Sequence, residues 1–243
     1  IAGTVASTIV AGRGLPWRRM AVEIRTLGQD LRFGVWAQLG SFFRLTNLRL
    51  DYLVMSAMLP SRELGLYATA NNVLLPLYTL PAAVSLLLAV KVSKASHGSK
   101  GPHPRQLALI IAEAWRYTLV ALAGGLVIGM ASFAVVPLIL GSAYNDSVGL
   151  IWILLPGSVL FCYTTISTAG AVAMQRVWVG ILAEGAAAVA TVLLLPFLLP
   201  SLQAEGAAIT SSVAYGLSAV AAATGLFVVR GRARRLSASA LPE

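Results

Sequence analysis

Long uncharged apolar stretches dominate the chain and predict membrane-spanning helices. No Asp, Glu, Lys or Arg lies between Glu63 and Lys91, between Arg116 and Asp146, between Asp146 and Arg176, or from Gly206 to Val229. Each stretch reaches the roughly 20 residues that a helix needs to cross about 30 Å of hydrocarbon. The alternative is a large soluble protein with buried core helices, but those are usually shorter and amphipathic. The pattern therefore predicts an all-α, polytopic membrane protein.

Six spanning segments follow from this pattern. They are predicted near residues 33–59, 65–92, 107–140, 148–173, 177–199 and 206–229. The loops on one side of the membrane are then residues 60–64, 141–147 and 200–205, and those on the other side are 93–106 and 174–176. Residues 33–230 would form one six-helix transmembrane lobe, followed by a basic tail over 231–243.

The residues before this lobe differ in character. The chain opens at Ile1 inside an apolar run, and residues 1–12 are about half as long as a spanning helix, without the basic start of a signal peptide. We expect them to end a transmembrane helix whose beginning lies outside the chain. In residues 13–32, Met20, Ile24 and Leu27 recur at helical spacing among arginines, which predicts an amphipathic cytoplasmic linker on the membrane surface.

Composition and charge support a membrane location. Hydrophobic residues make up 58% of the chain and charged residues 11%, whereas soluble domains carry about 25% charged residues. A soluble globular enzyme and a disordered chain are therefore excluded. The net charge of +9 would suggest nucleic acid for a soluble protein. Here the charges lie between apolar runs, so no nucleic-acid partner is expected.

The distribution of positive charge predicts the orientation. Of the 18 Lys and Arg residues, all but Arg44, Arg49 and Arg62 fall on one side: in the linker, in or beside the loops 93–106 and 174–176, at Arg116 near the start of the long third segment, or from Arg230 onward. Positive charge marks the cytoplasmic side of a membrane protein. We therefore expect a multi-pass protein of the inner (cytoplasmic) membrane, with its C-terminus in the cytoplasm.

Four polar residues inside the first predicted span are candidates for substrate binding: Arg44, Asn47, Arg49 and Asp51. An arginine at mid-membrane costs about 2.5–3.5 kcal/mol on insertion scales. At about 100° per residue, Arg44, Asn47 and Asp51 share one helix face and Arg49 points away from it. One interpretation is a cationic lining for an anionic substrate, with Asp51 orienting or neutralising the arginines. The other is an internal ion pair that fixes the helix in its bundle, and a structural role is favoured for Asp51.

Three further residues are candidates for the transport mechanism. Glu184 is a lone intramembrane carboxylate, which suggests a proton or cation coupling site; the alternative is a hydrogen-bonded or wetted carboxyl group. Pro76 and Pro81 interrupt the second span and are hinge candidates, although membrane helices often tolerate proline. Gly125 and Gly129 predict close helix packing.

Signatures of soluble enzymes are missing from the sequence. It contains no phosphate-binding loop, no His-Glu-x-x-His zinc motif and no Gly-x-Ser-x-Gly elbow. His97 and His103 lie in a basic loop and are too isolated to indicate a metal site. We expect no catalytic residue, no metal and no cofactor, and hence a protein that is not an enzyme.

Three short motifs occur in a fixed order along the chain. Asp51 is followed by RELGLYATA at 62–70, then by GSAY at 141–144 and EGAAIT at 205–210. Their order and spacing resemble the C-terminal lobe of polysaccharide and lipid-linked oligosaccharide flippases, in the multidrug/oligosaccharidyl-lipid/polysaccharide exporter superfamily. The resemblance covers about residues 33–229, and Gln203 stands where the family pattern has a glycine.

The resemblance implies a transporter of two lobes that moves a polyprenyl-pyrophosphate-linked sugar across the membrane by alternating access. Its partners would be this substrate, the lipid bilayer and an N-terminal lobe that is missing from this chain. A cationic central cavity suits a pyrophosphate, and Arg44 is the residue expected to bind it, since arginine bonds phosphate in a bidentate manner.

Two other functions remain open from the sequence. A drug or cation antiporter of the same superfamily would share the fold but would use intramembrane carboxylates for Na⁺ or H⁺ coupling, and this chain has few. A membrane enzyme acting on polyprenyl-linked sugars needs clustered acids, histidines or metal ligands near one membrane face. The outer loops offer only Arg62, Glu63, Asp146 and Glu205, which are dispersed in the sequence. A purely structural scaffold would not need Arg44.

Overall fold

The computed structural model describes residues 24–95 and 104–238 as a series of helices. These are α1 (Ile24–Met58), α2 (Ser61–Val73), α3 (Leu75–Ala95), α4 (Pro104–Leu140), a 3₁₀ turn (Ser142–Tyr144), α5 (Asp146–Ala173) and α6 (Trp178–Ala238). No strand occurs in these two ranges, which confirms the predicted all-α fold. The predictions for residues 1–12, for the start of the linker, for the loop with His97 and His103 and for the end of the tail lie outside the described residues.

The chain divides into two compact units, residues 1–35 and 36–243. The described part of the first unit, residues 24–35, is helical. α1 thus begins at Ile24, within the predicted linker, and not at residue 33. Everything that follows concerns the second unit.

Four stretches among the described residues are long and apolar enough to cross a membrane. They are Leu75–Val92, Arg105–Leu140, Ser142–Ala173 and Trp178–Ala233. α1, which contains Arg44, Arg49 and Asp51, is not one of them. The last stretch contains two of the six predicted spans, because the backbone reverses within α6.

The reversal in α6 occurs at Gln203, whose φ of 49° and ψ of −127° are not helical. A methyl group added at Gly225 would lie 2.9 Å from Cγ1 of Val179, so the second half of α6 runs back along the first. At the turn itself, Gly206 lies against the carbonyl of Leu198, where no side chain fits. Residues 178–202 and 204–238 are therefore two antiparallel helices, in agreement with the two predicted spans.

Gln203 occupies a backbone conformation that suits glycine. Its angles correspond to the first central position of a type II′ turn, which is normally glycine. We expect Gln203→Gly to stabilise the protein by about 1 kcal/mol, because it removes strain of that order. The measurement is the midpoint of thermal unfolding in detergent. Gln38→Gly, inside α1, is the control and should lower the midpoint; a lower midpoint for both variants would contradict the expectation.

Glycines allow α4 to pack closely on α5. A methyl group at Gly125 would lie 3.5 Å from Cδ2 of Leu155, and one at Gly129 would lie 3.1 Å from Cζ2 of Trp152. The close packing predicted for these two glycines is therefore confirmed.

The closest approach of α5 to α6 is at Gly157. A methyl group there would lie 2.5 Å from the Cα atom of Ser212. The hydroxyl of Ser212 donates to the carbonyl oxygen of Ile153 at 2.6 Å across the same contact. Backbone thus faces backbone, and this contact has no room for a side chain at residue 157.

The second predicted span is interrupted just before Pro76. α2 ends at Val73 and α3 begins at Leu75, with Leu74 between them. Proline has no backbone N–H, so Pro76 cannot continue the helical ladder from α2. Pro81 lies inside α3. The interruption is present, whereas movement about these prolines stays a prediction.

Candidate functional site

A cavity of about 530 Å³ lies between α1, α3, α5 and α6. Small side chains form much of its wall, among them Ala37 and Gly40 on α1, Ala82 and Ala83 on α3, and Ala169 on α5. Such residues leave the space that larger side chains would fill.

Two charged side chains face this cavity from different helices. Arg44 comes from α1 and is half-buried, whereas Glu184 comes from the first half of α6 and is 5% exposed. No ion pair within 4.0 Å joins them in the described structure. The cavity therefore presents a guanidinium and a carboxylate that are not in direct contact.

The remaining polar groups of the cavity wall are hydroxyls that bond to their own helices. Ser85 Oγ donates to the carbonyl of Pro81 at 2.7 Å, and Thr165 Oγ1 donates to Phe161 at 2.8 Å. Thr168 Oγ1 donates in the same way, to Thr164 at 2.9 Å. Their hydrogens are thus used, and their oxygens remain as acceptors toward the cavity.

Asn47 lies outside the cavity and connects α1 to α6. Thr191 Oγ1 donates to Asn47 Oδ1 at 2.8 Å, and the Asn47 side chain is buried. This contact lies one helical turn from Arg44, on the same face of α1 as the sequence predicted. In this conformation Asn47 contacts protein and not the cavity.

Asp51 holds α1 against α2 and α6. Its carboxylate accepts hydrogen bonds from the hydroxyl of Tyr67 and, at 2.8 Å, from the backbone N–H of Tyr52. The Tyr67 hydroxyl also lies 2.9 Å from Oγ of Ser211 on α6. All three side chains of the Asp51–Tyr67–Ser211 group are buried. This arrangement fits the structural role favoured for Asp51.

Arg49 is exposed and does not line the cavity. It points away from the face that carries Arg44, Asn47 and Asp51, as its position on the helix requires. The structure thus brings one of the two arginines of the first predicted span to the cavity and leaves the other outside it.

A second polar and aromatic group was not identified as a site from the sequence. Tyr78 on α3 lies 2.7 Å, hydroxyl to hydroxyl, from Ser158 on α5. Its ring is 5.4 Å from that of Phe161, which is in turn 5.1 Å from Tyr215. The signal was weak, because an aromatic residue in an apolar helix usually indicates core packing.

The turns that were predicted to lie on the outer side are closer in space than the sequence indicated. Arg62 donates to Asp146 at 2.8 Å and to Glu63 at 3.5 Å. These three residues and Glu205 line one pocket of about 330 Å³. Charges that are dispersed in the sequence are therefore close in space, because three inter-helix turns meet at one end of the bundle. Among residues 24–95 and 104–238, no three His, Cys, Asp or Glu side chains are grouped to hold a metal ion.

Comparison with known proteins identifies the family of the chain. No curated protein and no solved structure gives a significant match. A family described as polysaccharide biosynthesis protein matches residues 1–149, which is more than half of the chain. This match confirms the family resemblance drawn from the motifs, and the apolar helices agree with a membrane protein. The chain belongs to the polysaccharide biosynthesis protein family.

Proposed function

We propose that this protein is a flippase that moves a lipid-linked oligosaccharide or polysaccharide precursor across the cytoplasmic membrane by alternating access. The family supports a role in polysaccharide synthesis or export. The observation that carries the proposal is the position of Arg44, whose cationic side chain faces a cavity between membrane helices. A mid-membrane arginine is costly, and an anionic substrate gives it a function.

In this proposal Arg44 binds the pyrophosphate of a polyprenyl-pyrophosphate-linked sugar. A guanidinium presents N–H donors in a plane that matches two phosphate oxygens. The hydroxyl oxygens of Ser85, Thr165 and Thr168 offer acceptors for sugar hydroxyl groups in the same cavity. Asn47 and Asp51 support the site indirectly, since their hydrogen bonds fix α1 and therefore the position of Arg44.

Alternating access requires parts of the lobe to move, and the interruption between α2 and α3 is the proposed place. Pro76 and Pro81 lie in the first two turns of α3, which forms one wall of the cavity. Glu184 remains the candidate for proton or cation coupling within this cycle. The proposed orientation places the C-terminus in the cytoplasm, in line with the distribution of Lys and Arg.

The test is complementation of a strain that lacks its lipid-linked-sugar flippase. We expect the full-length wild-type protein, with the N-terminal lobe that the family resemblance implies, to restore export of the sugar polymer, with its membrane level checked by immunoblot. Sugar export that stays absent at a normal membrane level would reject the proposal. In that case, efflux of a cationic dye driven by a Na⁺ or H⁺ gradient would favour the antiporter. Consumption of the lipid-linked sugar by purified protein in detergent would instead favour the enzyme.

A further inference from the structure

Glu184 has no partner for its carboxylate among the described residues. The residue is 5% exposed and lines the cavity. Neither a hydrogen bond nor an ion pair within 4.0 Å joins its side chain to the described part of the chain. A buried carboxylate without partners is unfavourable. Its role must therefore be sought in what else faces the cavity.

The groups that face Glu184 are few. Among the described residues that line the cavity, Arg44 is the only cationic one. The hydroxyls of Ser85, Thr165 and Thr168 already donate their hydrogens to backbone carbonyls. Arg44 is thus the group whose charge Glu184 can offset across the cavity, because charges near a protein surface interact more strongly than charges in bulk water.

We propose that Glu184 limits the affinity of the cavity for the phosphate that Arg44 binds, and so makes release of the substrate possible. This inference rests on the proposed function. Because the two side chains do not touch, the N–H groups of Arg44 remain open to a phosphate. A bound phosphate then lies near a second negative charge, which weakens its binding. A transporter benefits from such a balance, since a substrate bound too tightly is not released on the opposite side.

The test measures binding of farnesyl pyrophosphate to the purified protein in detergent, with farnesol as the uncharged probe. Glu184→Gln keeps the shape of the side chain and removes its charge. We expect this variant to bind farnesyl pyrophosphate about tenfold more tightly than wild type, as the removal of one like charge several ångströms from the phosphate predicts at an effective dielectric constant of about 20. Its binding of farnesol should be unchanged. In a transport assay the same variant should show a lower maximal rate despite the higher affinity.

Two further variants keep the result interpretable. Glu184→Asp retains the charge and should bind farnesyl pyrophosphate within about threefold of wild type, given the distance dependence of a single charge. Glu205→Gln, at the outer turn, removes a glutamate charge outside the cavity and should leave binding unchanged. A merely structural role for Glu184 would weaken binding of both probes and would lower the midpoint of thermal unfolding.

The outcomes separate the inference from the proposed function. If wild type binds farnesyl pyrophosphate no better than farnesol, the substrate class is wrong and the inference falls with it. If wild type binds it and Arg44→Gln loses that binding, the substrate class stands. Unchanged or weaker binding by Glu184→Gln would then overturn the inference alone. Weaker binding of farnesyl pyrophosphate by Glu184→Gln would be expected if Glu184 bound a cation carried with the pyrophosphate.

Discussion

Arg44→Gln is expected to abolish rescue of a flippase-deficient strain. The substitution leaves a shorter, uncharged polar side chain in the cavity and removes the charge that would bind pyrophosphate. Truncating one partner of a buried charged contact costs about 2–5 kcal/mol. This is enough to reduce transport more than tenfold, because each 1.4 kcal/mol corresponds to about a factor of ten. The measurement is export of the sugar polymer at an equal membrane level.

Arg49→Gln provides the matched control for this experiment. Arg49 lies on the same helix, but it is exposed and outside the cavity. We expect Arg49→Gln to retain transport. A difference between the two variants would then show that the charge must face the cavity, and not only that α1 must carry a charge. Equal loss in both variants, or full activity of Arg44→Gln, would show that the cavity arginine does not bind the substrate.

Gly157→Ala is expected to destabilise the protein by about 1–3 kcal/mol, the range measured for overpacked cores. The added methyl group would lie 2.5 Å from the Cα atom of Ser212, and neither backbone has a flexible group that can move away. α5 and α6 must separate, which also strains the hydrogen bond from Ser212 to Ile153. The midpoint of thermal unfolding, followed by tryptophan fluorescence in detergent, measures the effect.

Gly149→Ala tests whether this loss comes from packing. Gly149 lies on the same helix, and a methyl group there meets no other atom within 4 Å. Alanine also has the higher helix propensity, so this variant should be neutral or slightly more stable. If Gly157→Ala were as stable as Gly149→Ala, the close approach of α5 and α6 would not be needed for the fold.

The spanning helices could be predicted from the sequence because the membrane imposes one simple requirement. A stretch that crosses hydrocarbon must be apolar over its whole length, so charges mark where each span ends. The helix boundaries were predicted less accurately, because α1 begins at Ile24 and α6 continues to Ala238, beyond the apolar stretches. At the turn between the last two spans, the sequence has Gln203 where the family pattern has a glycine. The strained backbone of Gln203 became evident only in the structure.

Part of the candidate site could also be predicted from the sequence, but for a different reason. Arg44 and Glu184 each stood out because a charge in an apolar stretch is costly. That both face one cavity depends on how α1 packs against α6, and periodicity along one helix does not contain that information. The pairing of Arg62 with Asp146 has the same origin, because it arises from turns that are distant in the sequence. By contrast, helix geometry alone predicted that Arg44 and Arg49 lie on different faces of α1.

The reversal at Gln203 determines where the chain can be labelled. A straight helix of the 61 residues in α6 would be about 90 Å long at 1.5 Å per residue, roughly three times the thickness of the hydrocarbon layer. Because the helix folds back, residues 174–177 and residues 234–238 lie at the same end of the bundle. An enzymatic reporter inserted at either place would therefore face the same aqueous compartment, and one fusion at the end of the chain reads the topology of both.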